Sequence, residues 1–226
     1  MTKNSLPIPL PSQYDLRGEV MLCYASDQRN QVEYRFNDLG YRSDIEYSIE
    51  QSHTKKIYAW VGSSITNGHT IEVEKSFPRL VSAAEGAECW NFSQGCFRTS
   101  NQILLEQTEM LVNSGAAIDK FFIQFINLER QGSKLDVYYN FDKSENIKKF
   151  EEIFLGFTEV LKGKSWYWML MDTLVHEIPD WILNSSNKIA HNPRFIDTTG
   201  IKEHPGVKTH LGLSQLISKK INAAIP

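Results

Sequence analysis

Lys56-Ile-Tyr-Ala-Trp-Val61, followed at once by Gly62-Ser-Ser-Ile-Thr-Asn-Gly68, is the stretch that decides the fold class. A short apolar run without polar alternation reads as a strand buried on both faces, the habit of parallel sheets covered by helices. Glycines at both ends of the following loop let the backbone turn sharply and approach a ligand closely. The loop therefore hands Ser, Thr and Asn side chains to the carboxyl end of a strand, where open α/β sheets gather their active sites.

The same alternation extends outward from this stretch. Residues 74–85 suit a helix, and Glu88-Cys-Trp-Asn-Phe92 reads as a second strand. Thr99 or Ser100 caps a helix running to Gly115, with apolar positions at Ile103, Leu104, Met110 and Leu111. Phe121-Phe-Ile-Gln-Phe-Ile126 is a strongly apolar third strand, followed by a polar stretch holding Gly132. An amphipathic helix spans about Asn146 to Leu161, then Trp166-Tyr-Trp-Met-Leu-Met171 supplies a fourth strand. Arg194-Phe-Ile-Asp197 is expected as a short fifth strand, and Val207 to Ala224 as the last helix. Strand–helix alternation predicts one α/β domain over residues 55–226, its parallel sheet covered on both faces through right-handed crossovers. Residues 1–54 read differently. Pro7, Pro9 and Pro11 imply an extended start, and Glu19–Tyr24 and Gln31–Phe36 a pair of strands. This part is expected to pack on the core as an extension, being too short to bury much surface alone.

Composition narrows the function. The chain has 226 residues, 41% of them hydrophobic, enough for one sizeable core. Its formal net charge is −3, without the basic stripe that nucleic acid or an anionic membrane normally demands, so no such partner is expected. Cys23, Cys89 and Cys96 are odd in number and match neither a zinc ribbon nor a redox pair, which favours a reducing compartment. The N-terminal residues show no long apolar region. No run reaches the roughly 18 apolar residues of a membrane span. A soluble, cytoplasmic protein is expected, and its oligomeric state is not legible.

Four loops carry residues with chemical potential. Ser64 sits in the Gly62–Gly68 loop. Asn91-Phe-Ser-Gln-Gly95 follows the second strand and Asn127 follows the third; a glycine amide and an asparagine amide are neutral donors suited to a developing oxyanion. Glu203-His204-Pro205-Gly206 precedes the last helix, and histidine is the side chain best suited to take a serine proton near neutral pH. Taken singly, these are an ordinary polar loop, a turn glycine and a strand-ending asparagine; their placement after successive strands is what counts. His69 reads as a loop histidine near the same mouth, and His210 as a packing or capping residue inside the last helix. A flavodoxin-like nucleotide or flavin cradle is the other use of such a loop, but neither a P-loop lysine nor a G-x-G-x-x-G run is present.

In that order, Gly62-Ser-Ser64-Ile-Thr66, Gly95, Asn127 and His204-Pro205 resemble the SGNH superfamily of GDSL-type hydrolases. Phe36-Asn-Asp-Leu-Gly-Tyr-Arg42 also resembles a segment that precedes the nucleophile block in bacterial and phage members. The resemblance covers roughly residues 55–224. It implies a three-layer α/β/α sandwich with a five-stranded, flavodoxin-like parallel sheet. It also implies a serine esterase that needs no cofactor or metal, acting on a small-molecule or glycan ester, for instance a short acyl or O-acetyl group on a glycan or lipid. Ser64 falls at the nucleophile and His204 at the catalytic base. Ser64, Gly95 and Asn127 fall at the oxyanion donors. Two positions depart from the family pattern. Ser63 stands where an aspartate usually precedes the nucleophile, and Ile201 stands where the triad acid belongs. An aliphatic side chain cannot hold the imidazole's tautomer. Asp197 is expected to take that place; Glu203, or a Ser–His dyad oriented by a backbone carbonyl, are the alternatives. A binding or structural module that lost the acid is the competing function.

Overall fold

The computed structural model describes residues 18, 20–24, 31–93, 99–132, 137–171, 177–198 and 204–223. In chain order the elements are β1 (Val20–Tyr24), β2 (Gln31–Arg35), α1 (Ile49–Ser52), β3 (Ile57–Val61), α2 (Ser64–Asn67), α3 (Phe77–Ala84), β4 (Glu88–Asn91) and α4 (Asn101–Asn113). They continue with β5 (Lys120–Phe125), β6 (Arg130–Gln131), β7 (Tyr138–Tyr139), α5 (Lys143–Val160), β8 (Trp166–Leu170), α6 (Asp180–Leu183), β9 (Lys188–His191) and α7 (Val207–Ala223).

Five strands form one parallel sheet in the order β4-β3-β5-β8-β9. Side-chain alternation along each strand sends residues to opposite faces, and the packing follows it. Ile57, Ala59, Val61, Phe121, Ile123, Phe125, Trp168 and Leu170 join one core with Leu104, Leu111, Phe150 and Phe157 of α4 and α5. Tyr58, Trp60, Phe122, Tyr167 and Met169 join another with Phe77 and Val81 of α3 and Leu213 and Ile217 of α7. The result is the three-layer α/β/α sandwich expected from the sequence.

Local chemistry accounts for most element ends. The Ser100 side chain accepts the Ile103 amide at 3.2 Å and so starts α4. Asp142 accepts the amides of Ser144 and Glu145, so α5 begins three residues before the expected Asn146. The helix expected over 74–85 is split into a short 3-10 turn at Val73–Lys75 and α3, which carries Pro78 in its first turn.

The fifth strand needs correction. It is Lys188–His191, not Arg194–Asp197. Asn192 takes a left-handed backbone (φ 47°) and Pro193 has no N–H to offer a ladder, so the chain leaves the sheet before Arg194. Ile196 is 66% exposed, and the amides of Ile196 and Asp197 donate to the Thr209 hydroxyl of α7.

β1 and β2 pair antiparallel, as the alternating stretches predict. Tyr41 and Tyr47, which follow them, are buried in the α4–α5 side of the core. No helix among the described residues is long and apolar enough to cross a membrane.

Candidate active site

β3 delivers the polar loop to the carboxyl edge of the sheet, and Gln124 of β5 holds it there. Ser63 donates to Gln124 Oε1 through its amide at 3.0 Å and its hydroxyl at 2.8 Å. The Thr66 hydroxyl donates to the same oxygen at 3.0 Å. The Gln124 Nε2 group is spent on the Phe125 carbonyl at 2.8 Å, which fixes the orientation of the side chain. Gln124 is only 2% exposed, so these bonds form away from competing water. Gly62 is required by the same closeness: a Cβ there would stand 2.9 Å from Thr66 Cβ and 3.0 Å from Gln124 Cβ. Ser63 caps α2 by accepting the Ile65 amide, and Ser64 becomes the first residue of that turn.

The other side of the loop is held by the segment that precedes the core. Arg42, 2% exposed, donates to the carbonyls of Asn67 at 3.1 Å, Gly68 at 2.6 Å and Ile71 at 2.6 Å. Its guanidinium lies 3.6 Å over the Tyr34 ring. The Tyr34 hydroxyl accepts the Thr70 amide at 2.5 Å and faces His69 Nδ1 at 3.3 Å. Asn91 completes the frame by donating to the Thr66 carbonyl at 3.0 Å, while the Ser93 hydroxyl donates to Asn91.

His204 arrives from the segment before α7. Its Nε2 lies 2.9 Å from Ser64 Oγ, within hydrogen-bond reach of a proton transfer. The two residues are 140 positions apart in the chain. The His69 ring stands 5.0 Å from the His204 ring, centroid to centroid, closer to the centre than a solvated loop histidine would be. Ser64, His204 and Asn127 line one cleft of about 430 Å³, together with Ile65, Arg130, Met171, Asn192, Phe195 and Thr198. The backbone of Ile126, just before Asn127, is fastened by Asn101, which accepts its amide at 2.9 Å and donates to its carbonyl at 3.0 Å. Gly95, Ile201 and Glu203 lie outside the described residues.

The expectation that Asp197 reaches the imidazole is not met. No hydrogen bond joins the described Asp197 and His204; the carboxylate is turned onto the first turn of α7 instead. Oδ1 accepts the Thr209 amide at 2.7 Å and the Thr209 hydroxyl at 2.8 Å, and Oδ2 accepts the Lys208 amide at 3.0 Å. The Asp197 carbonyl accepts the Gly206 amide at 3.0 Å, and Thr198 bridges to Pro205. The physical reason is the end of α7, whose unpaired amides attract a carboxylate more strongly than a neutral ring does. Burial opposes the charge on Asp197. The Thr209 and Lys208 bonds and the Lys208 charge more than offset this and hold its carboxyl below the ordinary range. Asp197 thus clamps the ends of the segment that carries His204. Among the described residues, no three His, Cys, Asp or Glu side chains gather as a metal site would need.

His210 behaves as the sequence suggests. Its Nδ1 accepts the Phe77 amide at 3.1 Å, supporting the start of α3, and its ring stacks on Phe77. Burial pushes its pKa down to about 4, with Arg42 and His204 adding to the fall and Asp197 opposing it.

Comparison with solved structures shows the fold. A G-D-S-L family protein from Desulfitobacterium hafniense DCB-2 superposes with a TM-score of 0.54 at 13% identity, over 73% of this chain and 99% of that one. This chain has the SGNH hydrolase fold. Two further structures share it. One is a carbohydrate esterase whose active site shows divergent catalytic and non-catalytic binding functions, with a TM-score of 0.53 at 13% identity over 75% and 69% of the two chains. The other is a carbohydrate esterase family 2 enzyme with a carbohydrate-binding domain from Corynascus thermopiles (Myceliophthora fergusii), with a TM-score of 0.50 at 14% identity over 76% and 67%. No protein-family model and no curated protein sequence matches the chain. The Ser64 loop follows the first strand of the core sheet in the chain, and His204 precedes the last helix.

Sequence reasoning gave no role to Gln124, Tyr34 or Arg130, and quoted Arg42 only as the end of the Phe36–Arg42 segment. Gln124 left a signal of its own: it is the single polar residue inside Phe121–Ile126, an amide in a run otherwise fit for a buried strand.

Proposed function

We propose that the chain is a serine esterase in which Ser64 is the nucleophile and His204 its general base. The 2.9 Å separation of His204 Nε2 and Ser64 Oγ carries this reading. His204 takes the hydroxyl proton as Ser64 Oγ attacks the ester carbonyl. The oxyanion is received by the Ser64 amide and the Asn127 side chain, with the Gly95 amide as a third donor by its place in the sequence. Collapse expels the alcohol, which takes the proton back from His204. His204 then deprotonates a water that attacks the acyl-enzyme, releasing the carboxylic acid and restoring Ser64. Asp197 serves here as a positioning residue, and Glu203 or a backbone carbonyl orients the imidazole. The carbohydrate esterases among the structural neighbours favour an ester carried on a carbohydrate.

The test is hydrolysis of p-nitrophenyl acetate together with labelling by a fluorophosphonate probe. The native chain should hydrolyse the ester and take the label. Ser64→Ala should lose both, and His204→Ala should lose turnover by at least about 10³-fold. A native chain that neither labels nor hydrolyses would be a binding module on this fold. Full activity in Ser64→Ala would end the assignment.

A further inference from the structure

Among the described residues that line the cleft, Arg130 carries a formal charge that the reaction does not use. Arg130, four residues beyond Ile126, lines it beside Ser64 and Asn127, and no carboxylate is among the described lining residues. Its Nε donates to the Tyr139 hydroxyl at 3.1 Å, and its guanidinium lies 5.8 Å from the centre of that ring. No ion pair of Arg130 exists among the described residues. A guanidinium lining a cleft with no carboxylate among its described residues is a ready partner for one brought by the substrate.

The same side chain links the cleft to an unusual surface. Arg130 and Tyr139 are directly paired across the β6–β7 hairpin, so both side chains rise on one face. Phe141 follows two residues on, and its ring stacks on Tyr139 at 6.4 Å with an interplanar angle of 17°. Tyr139 is 50% exposed and Phe141 75%. Exposed aromatics are common singly, but two stacked in line with an active-site cation form a surface that calls for a partner. The hairpin is not a loose flap. Gln131 is tied to Asn146 of α5 at 3.2 Å, and Ser100 donates to the Gly132 carbonyl at 2.6 Å.

We propose that the alcohol portion of the substrate is a carboxylated saccharide. Its acid group pairs with Arg130, and a neighbouring sugar ring lies on the Tyr139–Phe141 surface. This identification of the substrate rests on the Ser64 esterase reading. Sugar rings present apolar C–H faces to aromatic planes while their hydroxyls seek polar partners, and Asn192 and Thr198 offer such partners in the cleft. A lipid tail fits poorly, because it would have to strip water from Arg130, Asn127 and Asn192 and give nothing in return.

Calorimetric titration of the Ser64→Ala chain with trigalacturonate, sialyllactose and maltotriose tests the proposal without requiring turnover. At least one acidic sugar should bind and neutral maltotriose should not. Arg130→Gln should weaken the acidic sugar roughly 10- to 100-fold, the range of a lost charged hydrogen-bond pair. The Tyr139→Ala/Phe141→Ala double variant, changed only at exposed positions, should weaken it as well. Arg130→Lys should recover part of the loss. Binding of maltotriose equal to that of the acids, no binding of either acid, or an Arg130→Gln chain with native affinity would each overturn the proposal. p-Nitrophenyl acetate hydrolysis by the native chain separates the two readings. Hydrolysis without acidic-sugar binding sinks only the substrate assignment, and binding without hydrolysis sinks only the Ser64 chemistry.

Discussion

Replacing Asp197 with Asn separates a triad acid from a helix clamp, because the two roles predict different magnitudes. The Asn oxygen can still accept the Thr209 amide that Asp197 holds at 2.7 Å. Its NH₂ group, however, would face the Lys208 amide now bonded at 3.0 Å, donor against donor. One unmet amide costs about 1 kcal/mol, and the lost charge at the helix start about 0.3–1 kcal/mol. The sum of about 1–2 kcal/mol corresponds to a fall of roughly 2–8 °C in melting temperature for a chain of this length. Because His204 keeps its approach to Ser64 but on a looser segment, turnover of p-nitrophenyl acetate should fall about tenfold. A carboxylate acting directly on the imidazole would instead cost about 10⁴-fold. Calorimetry and initial rates on the same preparation settle it. A loss of 10³-fold or more with an unchanged melting temperature would refute the clamp and restore Asp197 to the triad. The pH dependence adds a check. The Asp197 carboxyl is held below its ordinary range, so its contribution is complete above the unfolded value near pH 3.9 and fades only as pH falls through the lower folded value. The stability gap between native and variant chains should therefore be constant from pH 7 to 5 and close only below about pH 4.

Gln124→Met keeps the volume of the side chain but removes the oxygen that accepts three bonds from Ser63 and Thr66. It should lower kcat by about 10- to 100-fold with little change in KM, and lower stability by about 2–3 kcal/mol, read by steady-state kinetics and urea unfolding. His210 is held neutral, with its pKa at about 4 against about 6.5 when unfolded, so the unfolded chain binds the extra proton between those values. Stability should fall by about 3 kcal/mol from pH 7 to pH 4. The His210→Asn chain, whose oxygen can still accept the Phe77 amide, should show a flatter profile; equal slopes for both chains in urea titrations would contradict this.

How much of this was legible in the sequence follows from where the information resides. Apolar runs such as Lys56–Val61 and Phe121–Ile126 announce buried strands because both their faces must be covered, and the sheet follows. Ser64 and His204, which the fold brings within 2.9 Å, stand out in the sequence because each lies in a small polar loop at a strand or helix end. Asp197 was misread for a reason that no spacing rule contains. Both the ring and the first turn of α7 are within reach of a carboxylate at that position, and the choice depends on two unpaired amides whose direction only the folded helix sets. Gly206 records the outcome, since a Cβ there would stand 2.5 Å from Asp197 Oδ2. The fifth strand was displaced for a related reason. Lys188–His191 is an edge strand of intermediate burial and has no continuous apolar run, whereas Arg194–Asp197 looks more strand-like but follows a proline.

The segment before residue 55 bears on the chemistry as well as on the fold. A buried guanidinium is costly unless its N–H groups are met, and the two terminal nitrogens of Arg42 donate to carbonyls at the end of α2 and just beyond it. The Gly68 carbonyl also accepts the Ile71 amide at 3.2 Å, so the guanidinium and the backbone turn hold the end of α2 together. Gln124 therefore grips the start of the Ser64 turn from inside the sheet, and Arg42 grips its end from the extension. Tyr34 adds a third hold through the Thr70 amide beside His69. A short helix is too weak to keep Ser64 still by its own hydrogen bonds. Here the stillness comes from two buried polar side chains on either side of it, so the extension belongs to the apparatus that aims Ser64 at His204.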